Sequence, residues 1–238
     1  MHHVILDQWS RRDSFLHRRD PRVKLLAALI FLVIVATTPP LAWHAFLIYS
    51  ATLTTATLAA GLPLNGILKR ALIVLPFSAI FALTSWISGD STRAIGLIEK
   101  AILSAWTTLL LASTTTLPSL LTGAQSLGVP RLLILVIQFL YRYLFVLSEQ
   151  SQHMRLAAQC RSGQKPVRNT LFKAAAGALG VLFARSYQRA DSIHRAMQSR
   201  GFTGSFPSAT LTNPKPADAA FLLASILPPL AARILPLR

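Results

Sequence analysis

Acidic side chains are scarce in this sequence. Eight Asp and Glu stand against 24 Lys and Arg in 238 residues, a formal net charge of +16. Charged residues make up only 13% of the chain and apolar ones 53%, whereas an ordinary soluble domain is about a quarter charged. In a soluble protein so basic a balance would point to nucleic acid. Here long apolar runs accompany it, and basic residues beside such runs read as cytoplasmic anchors of a membrane protein. Nucleic acid is therefore not an expected partner, and the lipid bilayer is.

Cysteine occurs once, at Cys160, which excludes an internal disulfide and leaves the redox compartment open. A phosphate-binding loop is missing too. GLPLNGIL (61–68) has the Gly-x4-Gly spacing, but Ile67 stands where Lys is required. Any ATP hydrolysis must then belong to a partner. Metal ligands do not converge: His2, His3 and Asp7 read as a solvated end, and Glu149 with His153 as a surface pair, because a metal centre needs three or four donors. Cys160 has no His-Asp set placed near it and is not read as a nucleophile. The sequence thus offers no catalytic residue, no metal ligand and no call for a cofactor. The first 22 residues are polar and arginine-rich, and no A-x-A-like site follows the first apolar run, so that run is expected to stay as an uncleaved span.

Five stretches are candidate spans: 23–38, 41–60, 71–88, 101–117 and 217–237. Each is near the roughly 20 residues needed to cross a ~30 Å hydrocarbon core. Pro76, Pro118, Pro228 and Pro229 are tolerable in such helices because neighbouring helices satisfy the freed carbonyls. Basic residues set the orientation. Six lie in the N-terminal segment, two at 61–70 and twelve in 118–216, against Arg93 and Lys100 in one loop and Arg233 and Arg238 at the end, on the other side. This favours a cytoplasmic N-terminus. The stretch RLLILVIQFLYRYLFVL (131–147) carries Arg142 at its middle, which would cost about 2.5–3.5 kcal/mol at mid-bilayer. It is expected to lie near the inner interface or among other helices, with a six-span arrangement as the competitor. Thr107, Thr108 and Ser113 to Thr116 could line a path, although such hydroxyls more often bond back to their own helix.

The fold class that follows is an all-α membrane protein of about five transmembrane helices plus a cytoplasmic helical module. Residues 1–117 would hold the N-terminal segment and the first four spans, 118–216 the cytoplasmic helices, and 217–238 the last span. Three helices are expected within 118–216: one stopping at Gly128 and Pro130, one from Arg131 to about Arg161, and one from about Leu171 to Arg200. On the third, Phe172, Ala175, Leu179, Leu182, Ser186, Ala190, Ile193 and Met197 recur at spacings of three and four and form a stripe expected to be buried. Asp191 and Arg195 are placed for an i,i+4 ion pair. The second and third helices each end in an arginine, Arg161 before Ser162-Gly163 and Arg200 before Gly201. Alone, either reads as ordinary C-capping. Two together suggest paired docking points.

Residues 6–29, LDQWSRRDSFLHRRDPRVKLLAAL, resemble the amino-terminal stretch of the transmembrane T components of energy-coupling factor transporters, most of all the cobalt-transport CbiQ group. The pattern S-x-L-H-x-x-D-P-R-x-K-L is carried by Ser14, Leu16, His17, Asp20, Pro21, Arg22, Lys24 and Leu25. The Gly-Val-Pro and Tyr-Arg-Tyr pieces of 128–150 also match. The resemblance implies an ATPase-coupling role for two helix ends that are Ala-Arg-Gly in the family. Here they are Cys160, Arg161 and Ser162, and Ser199, Arg200 and Gly201: both arginines are kept, while both alanines and the first glycine are replaced. It further implies two cytoplasmic ABC-type (CbiO-like) ATPase subunits, a substrate-binding membrane subunit (CbiM-like) and an optional small accessory membrane subunit. The chain would then be a multi-pass protein of the bacterial cytoplasmic (inner) membrane, not an enzyme, taking part in cobalt uptake. The alternatives are a T component for another metal or a vitamin, a polytopic membrane enzyme holding an anionic substrate, and a membrane scaffold.

Overall fold

The computed structural model describes residues 14, 16–40, 42–161, 168–204 and 216–234, and every regular element among them is helical. In chain order the α-helices are α1 (Pro21–Thr37), α2 (Trp43–Ala59), α3 (Leu64–Ala71), α4 (Leu75–Ile87), α5 (Ser91–Thr114), α6 (Leu117–Ser126), α7 (Arg131–Arg161), α8 (Arg168–Ser199) and α9 (Pro216–Ile234). The chain forms two compact units, 1–128 with 208–238, and 129–207.

Local chemistry sets the boundaries of the first unit. Asp20 caps α1 by accepting from the Arg22 amide at 3.0 Å, and Pro21 opens the helix where a missing N–H costs nothing. A 3-10 turn (Leu72–Val74) joins α3 to α4, and Pro76, at the start of α4, cannot donate to the preceding turn. The helical run therefore spans Leu64–Ile87, beginning well before the expected third span. α5 corrects the expectation more strongly. It starts at Ser91, so Arg93 and Lys100 stand on a helix and not in a loop. Arg93 pairs with Asp90 at 3.6 Å, and Lys100 reaches the last turn of α1, at the Ala36 carbonyl, 2.9 Å away. A long stem lets a cation sit on an apolar helix while its head finds an acceptor.

α5 is the hub of this unit, packing against α1, α2, α3 and α4, while α9 lies on α1 and α2. Phe31, Ile34, Val35, Tyr49, Ile67, Leu103 and Trp106 form the core. The outward side is as apolar as the core: Val33, Leu47, Ile73, Phe77, Ile80 and Ile87 are all exposed. That pattern suits hydrocarbon as the surrounding solvent, where helices satisfy their own backbone. Leu64–Ile87, Ser91–Thr114 and Arg131–Arg161 are long and apolar enough to cross a membrane. α1 and α2, with 17 residues each, reach about 26 Å. The presence of α7 in that set, by length and composition, keeps the six-span arrangement in play.

α6 belongs with the first unit, although the sequence groups it with the helices that follow. Gly123 explains why. A Cβ there would lie 3.3 Å from the Arg22 nitrogen and the Pro21 carbonyl carbon, so α6 rests directly on the first turn of α1. Close backbone approach of this kind favours glycine.

Candidate functional site

The second unit is built on α7 and α8, and its arginine-bearing ends can be followed residue by residue. The two helices run in opposite senses. Phe139, Tyr143 and Leu147 of α7 line a cavity of about 340 Å³ with Ser186, Ile193 and Met197 of α8. Further along, Val146, Met154 and Arg161 line another of about 650 Å³ with Ala178, Val181 and Arg185. The stripe expected to be buried on α8 is covered only in part. Leu182, Ser186, Ile193 and Met197 are half-buried, but Ala175, Leu179 and Ala190 are exposed and Phe172 is 76% exposed. α7 covers the stripe along part of its length only, and no described side chain on α8 is fully buried. Arg195 meets Asp191 at 2.6 Å and His153 meets Glu149 at 3.8 Å, both on exposed flanks.

Cys160 and Arg161 are exposed on the last turn of α7; Ser162 lies outside the described residues. Ser199, Arg200 and Gly201 are exposed where α8 stops. That stop is closed by backbone. Gly201 adopts φ +72°, its N–H donates to the Gln198 carbonyl at 3.0 Å, and the Phe202 N–H donates to the Met197 carbonyl at 3.0 Å. This is the Schellman arrangement, which satisfies helix-end carbonyls without a side chain. The Arg200 guanidinium is thus not needed as a cap, and no hydrogen bond or ion pair joins the Arg161 or Arg200 side chain to another described residue. Because the helices are antiparallel, the two arginines are not brought together. Arg161 lines the same cavity as Ala178, and the 22 residues of helix from Ala178 to Arg200 span about 33 Å.

The first unit holds a cavity of about 360 Å³ among α1, α2, α5 and α9. Its hydroxyls are committed: Thr52, Thr107, Thr114 and Ser225 donate to carbonyls of Tyr49, Leu103, Leu110 and Leu222 in their own helices. Thr108 does the same to Ser104. The wall therefore offers methyl groups rather than donors to a polar solute.

Residues 12–210 match the CbiQ family of cobalt transport proteins. The chain belongs to the CbiQ family. It is 29% identical to the cobalt transport protein CbiQ of Rhodobacter capsulatus, over 86% of each chain. It is similarly related to energy-coupling factor transporter transmembrane proteins EcfT. That of Streptococcus thermophilus is 27% identical over 86% of this chain and 87% of the relative, and that of Acidaminococcus fermentans 29% identical over 84% of each. The CbiQ family is one of transporter components and not of enzymes. In this CbiQ-family chain the sequence reading located both arginine ends but assigned no task to the N-terminal pattern 14–25. Its density of charge just before an apolar span was the available signal.

Proposed function

We propose that this chain is the transmembrane coupling subunit of an energy-coupling factor transporter for cobalt ions, joining two cytoplasmic ABC-type ATPases to a substrate-binding membrane subunit. One observation carries the reading: Arg200 ends a helix that its backbone has already capped, leaving an exposed guanidinium with no task inside the described chain. Arg161 sits toward the other end of the pair, on the order of 30 Å along it, a separation that suits two ATPase subunits better than one. A guanidinium is a planar fork of donors matched to carboxylates, and it stays charged when desolvated. Docked at both ends, the helix pair would move as a lever when the ATPases close, and rigid-body shifts of this kind carry signals between subunits. The N-terminus is assigned to the cytoplasm on the distribution of basic residues.

The similar identity to CbiQ and EcfT relatives supports a second reading, in which the same coupling subunit serves another metal or a vitamin. Substrate choice would then sit in the partner.

The test replaces Arg161 and Arg200 by Lys and by Ala at matched membrane levels. Lys serves as well as Arg at a helix C-terminus but cannot reproduce a bidentate contact, so it should impair both ATPase co-purification and cobalt uptake. Ala should cost about 2–5 kcal/mol at each end, roughly 30- to several-thousand-fold in affinity. Each single Ala variant should weaken the complex and the double variant abolish uptake, with Arg200→Ala the more harmful. Full uptake with both arginines changed to Ala would leave the arginines no role beyond the helix end.

A further inference from the structure

The N-terminal pattern is more than an entry to the first span, because its side chains hold three separate places of the first unit at once. Ser14 Oγ and His17 Nδ1 are 2.6 Å apart, and His17 Nε2 is 3.3 Å from the Ser113 carbonyl. A carbonyl only accepts, so Nε2 carries the hydrogen and Nδ1 accepts from the serine. Lys24 Nζ donates to the Thr114 carbonyl at 3.0 Å, to Thr115 Oγ1 at 3.4 Å and back to the His17 carbonyl at 3.3 Å. These contacts fix the corner where α5 turns into α6. Gly123 of α6 rests on Pro21 and Arg22. Arg19 pairs with Asp218 on the first turn of α9 at 3.4 Å, the two side chains only 12% and 7% exposed.

The places held have a common property. α6 is the last element before the chain leaves the first unit, and the start of α9 is where it returns. We propose that Ser14 and residues 16–24 are a static clamp that fixes both points at which the second unit is tethered, with Arg19 and Asp218 as its positioning pair. The proposal rests on the coupling function proposed above. A lever transmits motion only if its attachments do not yield, so slack at either tether would let the ATPases close without moving the substrate-binding subunit.

The experiment uses the full complex with its ATPases and substrate-binding subunit, reading cobalt uptake and ATP hydrolysis together. Arg19→Glu and Asp218→Lys should each lower cobalt taken up per ATP hydrolysed by about tenfold or more while ATPase co-purification stays at wild-type level. The double variant, with the charges exchanged, should recover to within about threefold. A purely structural pair would lower the amount of complex and leave uptake per ATP unchanged, which would overturn the proposal, as would a double variant no better than the singles. Should reversal prevent accumulation of the chain, a Cys pair at positions 19 and 218 in a Cys160→Ala background, bridged by a short bismaleimide, replaces it, and its uptake is read against the same chain left unbridged. Uptake should survive the bridge, and a block would show that the pair must open. A wild-type complex in which ATP hydrolysis drives uptake of neither cobalt nor another metal or vitamin would sink the coupling function and the clamp with it; a transporting wild type with no charge-exchange recovery sinks the clamp alone.

Discussion

Lysine 24 offers the sharpest test of how the first unit is held together. Its side chain is 5% exposed, and its ammonium supplies a hydrogen to the last carbonyl of α5, to Thr115 Oγ1 and to the His17 carbonyl. α5 ends without glycine: its C-cap, Thr115, is extended at φ −141°, ψ 128°. A cation from another helix therefore does what a Schellman turn does for α8. The opposite end of the same helix pair is arranged in mirror fashion, with Lys100 of α5 donating to Ala36 of α1 at 2.9 Å, but in an exposed setting. Lys24→Met keeps the length and apolar stem and deletes the three donors. Loss of a charge-assisted bond costs about 1.5–3 kcal/mol and an unsatisfied buried carbonyl about 1–3 kcal/mol. Relief from burying an ammonium offsets part of this. The net should be about 3 kcal/mol, or roughly 6–12 °C in the apparent melting temperature of a chain this size. Lys100→Met, whose acceptor stays accessible, should cost under about 1 kcal/mol and shift melting by less than about 4 °C. The assay is fluorescence-detected gel filtration of detergent-purified chain after stepwise heating. Equal shifts for the two variants, or a larger one for Lys100→Met, would refute the reasoning.

Two further outcomes are expected. Gly96→Val should destabilise by about 1–3 kcal/mol or more on the same assay, because even a Cβ there would sit 2.6 Å from Pro40 Cβ; a stable Val variant would mean that the α1–α2 connection does not rest on α5. In a Cys160→Ala background, a cysteine at position 93 should react with a membrane-impermeant thiol reagent in intact cells and one at position 165 should not; strong labelling at 165 would favour α7 as a crossing helix and overturn the five-span orientation.

Much of the fold was legible because hydropathy and helix punctuation are local. Gly128 with Pro130 stops one helix, and Gly201 stops α8 within a residue of where the sequence puts it. The arginine ends were legible for the same reason. What was missed depends on pairs far apart in the chain. Lys24 and Thr114 are 90 residues apart, Lys100 and Ala36 are 64, and Arg19 and Asp218 are 199. No window along the sequence contains such a pair, so Lys100 read as a loop residue. The α8 stripe failed differently: its period was right, but period reports which face is apolar and not whether anything covers it.

The two units spend their cations in different ways, and the difference follows from the shortage of acid. In the first unit Lys24, Lys100 and Arg233 find backbone carbonyls or the Thr37 hydroxyl, and Arg19 finds Asp218. Helix ends supply these acceptors because their last carbonyls lack intrahelical partners. The second unit contains two carboxylates, Glu149 and Asp191, against eleven Lys and Arg between residues 129 and 207. Both face an i,i+4 neighbour, His153 and Arg195. The end of α8, moreover, is closed by the Gly201 and Phe202 amides, which take the Gln198 and Met197 carbonyls. The exposed Arg200 side chain is left with neither a carboxylate nor a hydrogen-bond acceptor among the described residues. A guanidinium so placed is either solvated or matched by acid from another chain. The first costs nothing to mutate, while the second is lost with Lys as well as with Ala, and that contrast is what the Arg200 variants read out.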